Sequence, residues 1–204
     1  MKNLLTIILA LHFSIAFSQL ITFDGLPGAG IIPNPHMGLN FSSVGNYQAG
    51  SGAGYLNNMV SPPNVAFNGF AVFPWDIISV GGPITFTSLS LGAAWNVGEV
   101  VQISPIGGAQ APINVTINCT GPAQNVVLNW ANITGIRFSL INAGVSGGCG
   151  AGGGEHIVLD NLLINSIPPV PTLSEWGIII FGLSLLALGT VYLRRKSILS
   201  VVKL

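Results

Sequence analysis

The side chains between Gln19 and Pro169 that could do chemistry are few: Asp24, Asp76, Glu99, Glu155 and Asp160 as carboxylates, His36 and His156 as imidazoles, Cys119 and Cys149 as thiols. Glycoside hydrolysis would need two carboxylates set against one bond, and no two of these share a motif that opposes an acid to a base. Cys119, Cys149, His36 and His156 could make a Cys₂His₂ zinc site, yet the close ligand pairs of structural zinc are missing. Gly144-Val145-Ser146-Gly147-Gly148 fits G-x-S-x-G, the nucleophile elbow, which works where a strand turns sharply into a helix. Here Cys-Gly-Ala-Gly-Gly-Gly follows, and no helix is expected. Gly148, Gly150 and Gly153 match the dinucleotide fingerprint, again without its helix. The domain is expected not to be an enzyme, with a secreted hydrolase as the remote alternative.

Charge removes another class. From Gln19 to Glu175 one base, Arg137, stands against six acids, a net of −5, because the other basic residues are Lys2 and those after residue 193. With no cationic surface to displace phosphate counterions, nucleic acid is not a partner. At the N-terminus a basic Met1-Lys2-Asn3, an apolar run and the small-x-small triplet Ala16-Phe17-Ser18 read as a signal peptide over residues 1–18, leaving Gln19 as the first mature residue. Export to an oxidising compartment, with an even cysteine count, predicts a Cys119–Cys149 disulfide that pins the glycine-rich stretch from Gly144 to Gly154.

The C-terminus has three parts. A Pro-rich linker and motif occupies residues 168–175; an uncharged run over 176–193 is long enough, at about 27 Å, to cross a membrane as a helix. A basic tail over 194–204 follows, and Arg194, Arg195 and Lys196 place that end in the cytoplasm by the positive-inside rule. Val170-Pro171-Thr172-Leu173-Ser174-Glu175-Trp176-Gly177, followed by the apolar helix and Arg194-Arg195-Lys196, resembles the IPTL-CTERM sorting signal, a relative of the PEP-CTERM signals handled by exosortases, with Val170 where the family has Ile. The resemblance implies a Gram-negative bacterium, export across the inner membrane and transient anchoring by the tail. It also implies an exosortase-type sorting protease as partner, and a final location at the cell surface or in the extracellular matrix.

The elements that must position any site are strands. Short β-branched and aromatic runs recur over 19–167 between Gly, Pro and Asn: Ile21–Phe23, Asn40–Ser42, Val65–Phe73, Ile84–Ala94, Val100–Ser104, Ile113–Cys119, Asn125–Trp130, Gly135–Leu140 and His156–Ile164. Thr85 to Leu91 and Asn114 to Cys119 alternate polar with apolar, as strands with one wet face do. The fold class expected is all-β, a β-sandwich or jelly roll, plus one C-terminal transmembrane helix. Ile21-Thr22-Phe23-Asp24-Gly25-Leu26-Pro27, Val65 to Phe70, Ala93-Ala94-Trp95-Asn96 and His156 to Leu162 resemble landmarks of PEP-CTERM-type ectodomains with a galactose-binding-like jelly roll.

Binding leads the functional classes, with a self-associating structural matrix protein as the alternative. Aromatic faces stack on the C–H patches of sugars while amides bond their hydroxyls, so a glycan such as an exopolysaccharide is the expected ligand. Trp75, between Pro74 and Asp76 in an expected loop, and Tyr47 are the expected surface aromatics. Asp24 near the first strand and Asp160-Asn161 in the last would converge if those strands are neighbours, making a candidate structural calcium site; the competing account has these carboxylates bonded to turn amides. The jelly-roll resemblance adds that such folds often carry an ion there.

Overall fold

Alternation of apolar and polar residues becomes two antiparallel sheets packed face to face. The computed structural model describes residues 17–42, 45–49, 52–150, 152–166, 177 and 180–192. They fall into two units, divided between Pro168 and Pro169. In the first unit the strands, in chain order, are β1 (Phe17–Ile21), β2 (Gly30–Ile31), β3 (Leu39–Phe41), β4 (Gly45–Ala49), β5 (Asn64–Asn68), β6 (Trp75–Ser79), β7 (Ile84–Ala93), β8 (Val97–Ile106), β9 (Ile113–Asn118), β10 (Gln124–Ile133), β11 (Gly135–Asn142) and β12 (Ile157–Ser166). A short helix α1 (Ala53–Asn57) precedes β5, and a 3₁₀ turn, Gly69–Ala71, follows it. One sheet has the order β10-β7-β12-β5-β4-β2, with β1 also paired to β12; the other runs β3-β6-β11-β8-β9.

The β-sandwich expectation holds. Val115 and Ile117 of β9 are buried while Asn114 and Thr116 face water, the alternation read from the sequence. The core between the sheets gathers Phe23, Phe41, Trp75, Phe86, Leu91, Ile103, Phe138 and Leu159, among others. Three asparagines break the ladders in a regular way. Asn129 and Asn132 in β10 and Asn161 in β12 have positive φ and sit where the register slips by a residue. Asparagine tolerates that left-handed conformation better than other side-chain-bearing residues, so each marks a β-bulge.

β2, β4 and β6 are strands that the sequence reading left as loop, as is α1. The β1 ladder starts at Phe17, opposite Ser166, two residues upstream of the expected mature terminus. Residues 1–16 lie outside the described residues, as do 170–176 and 194–196 of the sorting signal. In the second unit, Gly177 and 180–192 are helical and expose Ile180, Phe181, Leu185, Leu186 and Leu188. Among the described residues no helix is long and apolar enough to cross a membrane; residues 176, 178, 179 and 193 of the expected span are not among them.

Candidate functional site

The outer face of the β2–β4–β5 edge carries a shallow concavity of about 410 Å³. Its floor and walls follow from register: Ile31 pairs Asn46, and Asn46 pairs Phe67, so these three side chains share one face across three strands. Gln48 joins them from the same side of β4, and Phe70 closes the end. Phe70 is 79% exposed, the most exposed aromatic ring of the sandwich among the described residues. Its backbone is strained, with φ at 57° at Phe70 and 54° at Ala71, a region that residues bearing a Cβ rarely occupy.

A buried asparagine holds that strain in place. Asn68 donates through Nδ2 to the carbonyls of Val72, 3.3 Å, and Glu155, 3.1 Å, and its Oδ1 accepts the Ile157 N–H at 2.8 Å. The turn that lifts Phe70 into water is thereby stapled to β12. Behind it the Phe67 ring stacks on His156, with centroids 5.4 Å apart, and meets the edge of Tyr55 at 5.1 Å. Burial drives the Tyr55 pKa up and the His156 pKa down, so both are neutral, and the phenol hydroxyl and Nδ1 of the imidazole share a hydrogen bond. The residues lining the concavity bring no carboxylate, imidazole, amine or thiol to it. What it can do chemically is stack and hydrogen-bond.

The two expected surface aromatics are corrected. Trp75 is fully buried, because it opens β6 rather than a loop and its indole packs on Phe138 at 5.5 Å in the core. Tyr47 is 6% exposed; it points inward from β4, donates its hydroxyl to the Pro27 carbonyl at 2.9 Å and only floors the concavity. Phe70 takes the place they were given. An aromatic two residues after Asn68, in an Asn-Gly turn, was the available signal.

The acids divide differently from expectation. Asp160 accepts the N–H groups of Val60 and Ser61 on Oδ2 and that of Asn161 on Oδ1, each at 2.8 Å, and the Ser61 hydroxyl lies 3.1 Å from Oδ1 and 3.0 Å from the Asn161 Oδ1. Asp24 Oδ1 faces the Asn64 N–H at 3.5 Å. The two carboxylates thus hold opposite ends of one segment, Val60 to Asn64, through hydrogen-bond donors. A cation at Asp160 would meet N–H hydrogens, so calcium does not fit Asp24, Asp160 and Asn161, and the turn-amide account describes them. Among the described residues no three of His, Cys, Asp and Glu gather to hold a metal.

Cys119 and Cys149 form the expected disulfide, which also takes both sulfurs out of any zinc site. His36 bonds the Thr22 carbonyl at 2.9 Å, and Ser146 lies in a run of turns with no helix after it. Glu99, which the sequence offers only as one of five unpaired carboxylates, and Asn96 are buried with unpartnered oxygens.

Residues 168–195 match the model of the IPTL-CTERM motif. The C-terminal segment is therefore a sorting signal of that kind, and it marks an exported protein handled by exosortase-type machinery. No curated protein matches the chain. Among solved structures, the chain is similar to a family two carbohydrate esterase from Cellvibrio japonicus at 9% identity and a TM-score of 0.36, over 78% of this chain and 37% of that one. The chain thus spans little more than a third of that protein's length.

Proposed function

We propose that the sandwich is a non-catalytic module that binds a neutral glycan, displayed by an exported protein that its tail sorts and transiently anchors. The observation that carries this reading is the Phe70 ring held out in water beside the amides of Asn46 and Gln48, in a concavity whose lining offers no acid or base. An aromatic face with flanking amides is what a sugar needs, and a site without titratable groups suits recognition better than turnover. The sandwich is read as a jelly roll. The tail is read as crossing the inner membrane of a Gram-negative bacterium over 176–193 before an exosortase-type protease releases the protein to the surface or matrix. The exposed apolar side chains of 180–192 support that seat.

The test is saturable binding of the full-length protein in mild detergent to neutral exopolysaccharide. Phe70→Ala should weaken it by about tenfold, the worth of one stacked ring, while leaving the melting temperature close to that of the parent. Binding unchanged by Phe70→Ala sinks the site. Absence of any saturable binding, with light scattering that grows with concentration, favours the self-associating matrix protein, for which Ile31, Val127 and Val145 are exposed apolar contacts.

A further inference from the structure

Glu99 is the least explicable residue of the sandwich. It shares a face of β8 with Val101 and Ile103, which belong to the core, so it points between the sheets and is fully buried. Neither of its oxygens has a hydrogen-bond partner. Asn96, 2% exposed, spends its Nδ2 on the Ala143 carbonyl at 2.9 Å and leaves its own Oδ1 unpartnered. The Asn96 side chain is the one group placed to favour the charged form of Glu99, while burial and the Glu155 carboxylate act against it. Three buried oxygens without donors, and a second acid close enough to repel the first, call for positive charge.

No side chain can supply it. Arg137, the only base between Gln19 and Glu175, is committed to Asp76 through Nε at 2.8 Å and Nη2 at 2.7 Å. His156, in the field of Glu155, is kept neutral by burial and is engaged with Tyr55. A proton on Glu99 could reach Asn96 Oδ1 through one O–H, but the remaining Glu99 oxygen would stay orphaned at the usual cost of a buried unpaired acceptor.

We infer that Glu99 and Asn96, with Glu155 at the rim, form a site for a hard divalent cation of the calcium class at the end of the sandwich where the Cys119–Cys149 disulfide holds the glycine-rich loop. A cation engages all three orphaned oxygens at once, and the donor set is entirely oxygen, which calcium prefers; backbone carbonyls and water complete its six to eight ligands. Val97 exchanges both backbone hydrogen bonds with Val145, at 2.8 and 3.0 Å, and Gly148 lies against Cys119 and Val97, so the loop roofs this end.

Without the ion, burial and the Glu155 charge push the Glu99 pKa up to about 8 from 4.5. A raised folded-state pKa makes folding lose stability as pH rises from 4.5 to about 8, because the unfolded chain ionises first. Calcium must compete with that proton, so its effect should grow over the same window.

The experiment uses the full-length protein in mild detergent, stripped with chelator and melted with and without millimolar calcium below pH 4.5 and above pH 8. Terbium luminescence provides a direct binding readout. Calcium should raise the melting temperature above pH 8 and leave it unchanged below pH 4.5, with a Kd of about 0.1–1 mM, the range of extracellular sites. Glu99→Gln, which removes the buried charge and so should still fold, should abolish the calcium response; Glu155→Gln should weaken calcium by about tenfold. A parent protein indifferent to calcium above pH 8, or Glu99→Gln that binds terbium and responds to calcium like the parent, overturns the site.

Discussion

Asp160 and Glu99 are both fully buried carboxylates, yet their surroundings are opposite. Asp160 sits at a bulge of β12, where the left-handed backbone of Asn161 turns the chain so that three N–H groups and a hydroxyl surround the carboxylate. Burial raises its pKa, and every one of those donors pulls the other way without cancelling the shift. Glu99 sits behind a bulge of β8 made by Gly98, whose own N–H goes to the Asn118 Oδ1 at 2.7 Å and leaves nothing for the glutamate. A carboxylate supplied with donors is a structural tie. One whose two oxygens are both left without a hydrogen-bond partner is a place for something positive.

Mutation can break this contrast, beginning with its firmest side. Asp160→Ala would orphan the Val60, Ser61 and Asn161 amides in the interior, and should cost about 3–5 kcal/mol in a denaturant titration, equally with and without calcium. A calcium-dependent loss would move the ion site back to β12. Second in size is the disulfide. Cys119→Ser with Cys149→Ser releases a loop with a sequence separation of 30 and should cost about 3–4 kcal/mol by the chain-entropy argument. The same variant should weaken terbium binding by loosening the roof over Glu99, whereas a disulfide variant with parental terbium affinity would separate the loop from the site. The smallest effect belongs to a third carboxylate. Asp76 meets Arg137 in a two-pronged pair whose arginine is half exposed, so water competes with the contact. Arg137→Ala should melt within experimental error of the parent at moderate salt, which would rank the three acids by burial and partner rather than by the presence of an ion pair.

The sequence was most legible where periodicity is strict. The alternation in β9 reads directly into buried and exposed positions, whereas in β7 the expected wet face is lost at Ser90, which is buried in the middle of the larger sheet; cysteine parity with export predicted the disulfide. It misled at Trp75, because Pro74 before it and Gly81-Gly82 after Val80 look like loop punctuation, and the adjacent Ile77-Ile78 blurs an alternation of only five residues. The misplaced site followed from that misplaced strand. Phe70 escaped because the Asn68-Gly69 pair marks a turn but not its strained geometry, which depends on the contact of Asn68 with β12. Glu99 was legible in part: counting back in twos from Ile103 through Val101 lands on it and places an acid on the core face. That count was hidden because the expected strand began at Val100, one residue after the acid.

The pairing of β1 with β12 has a consequence for when this protein can finish folding. Ile21 faces Leu162, so the first strand finds its partner only in the last one. β12 also supplies the neighbour for both β5 and β7, which means the larger sheet stays split until almost all of the domain has been delivered. The apolar tail is the next segment of the chain after β12. A sorting signal placed at this end is read only after the whole fold has been exported, so a truncated chain, lacking the tail, carries no address.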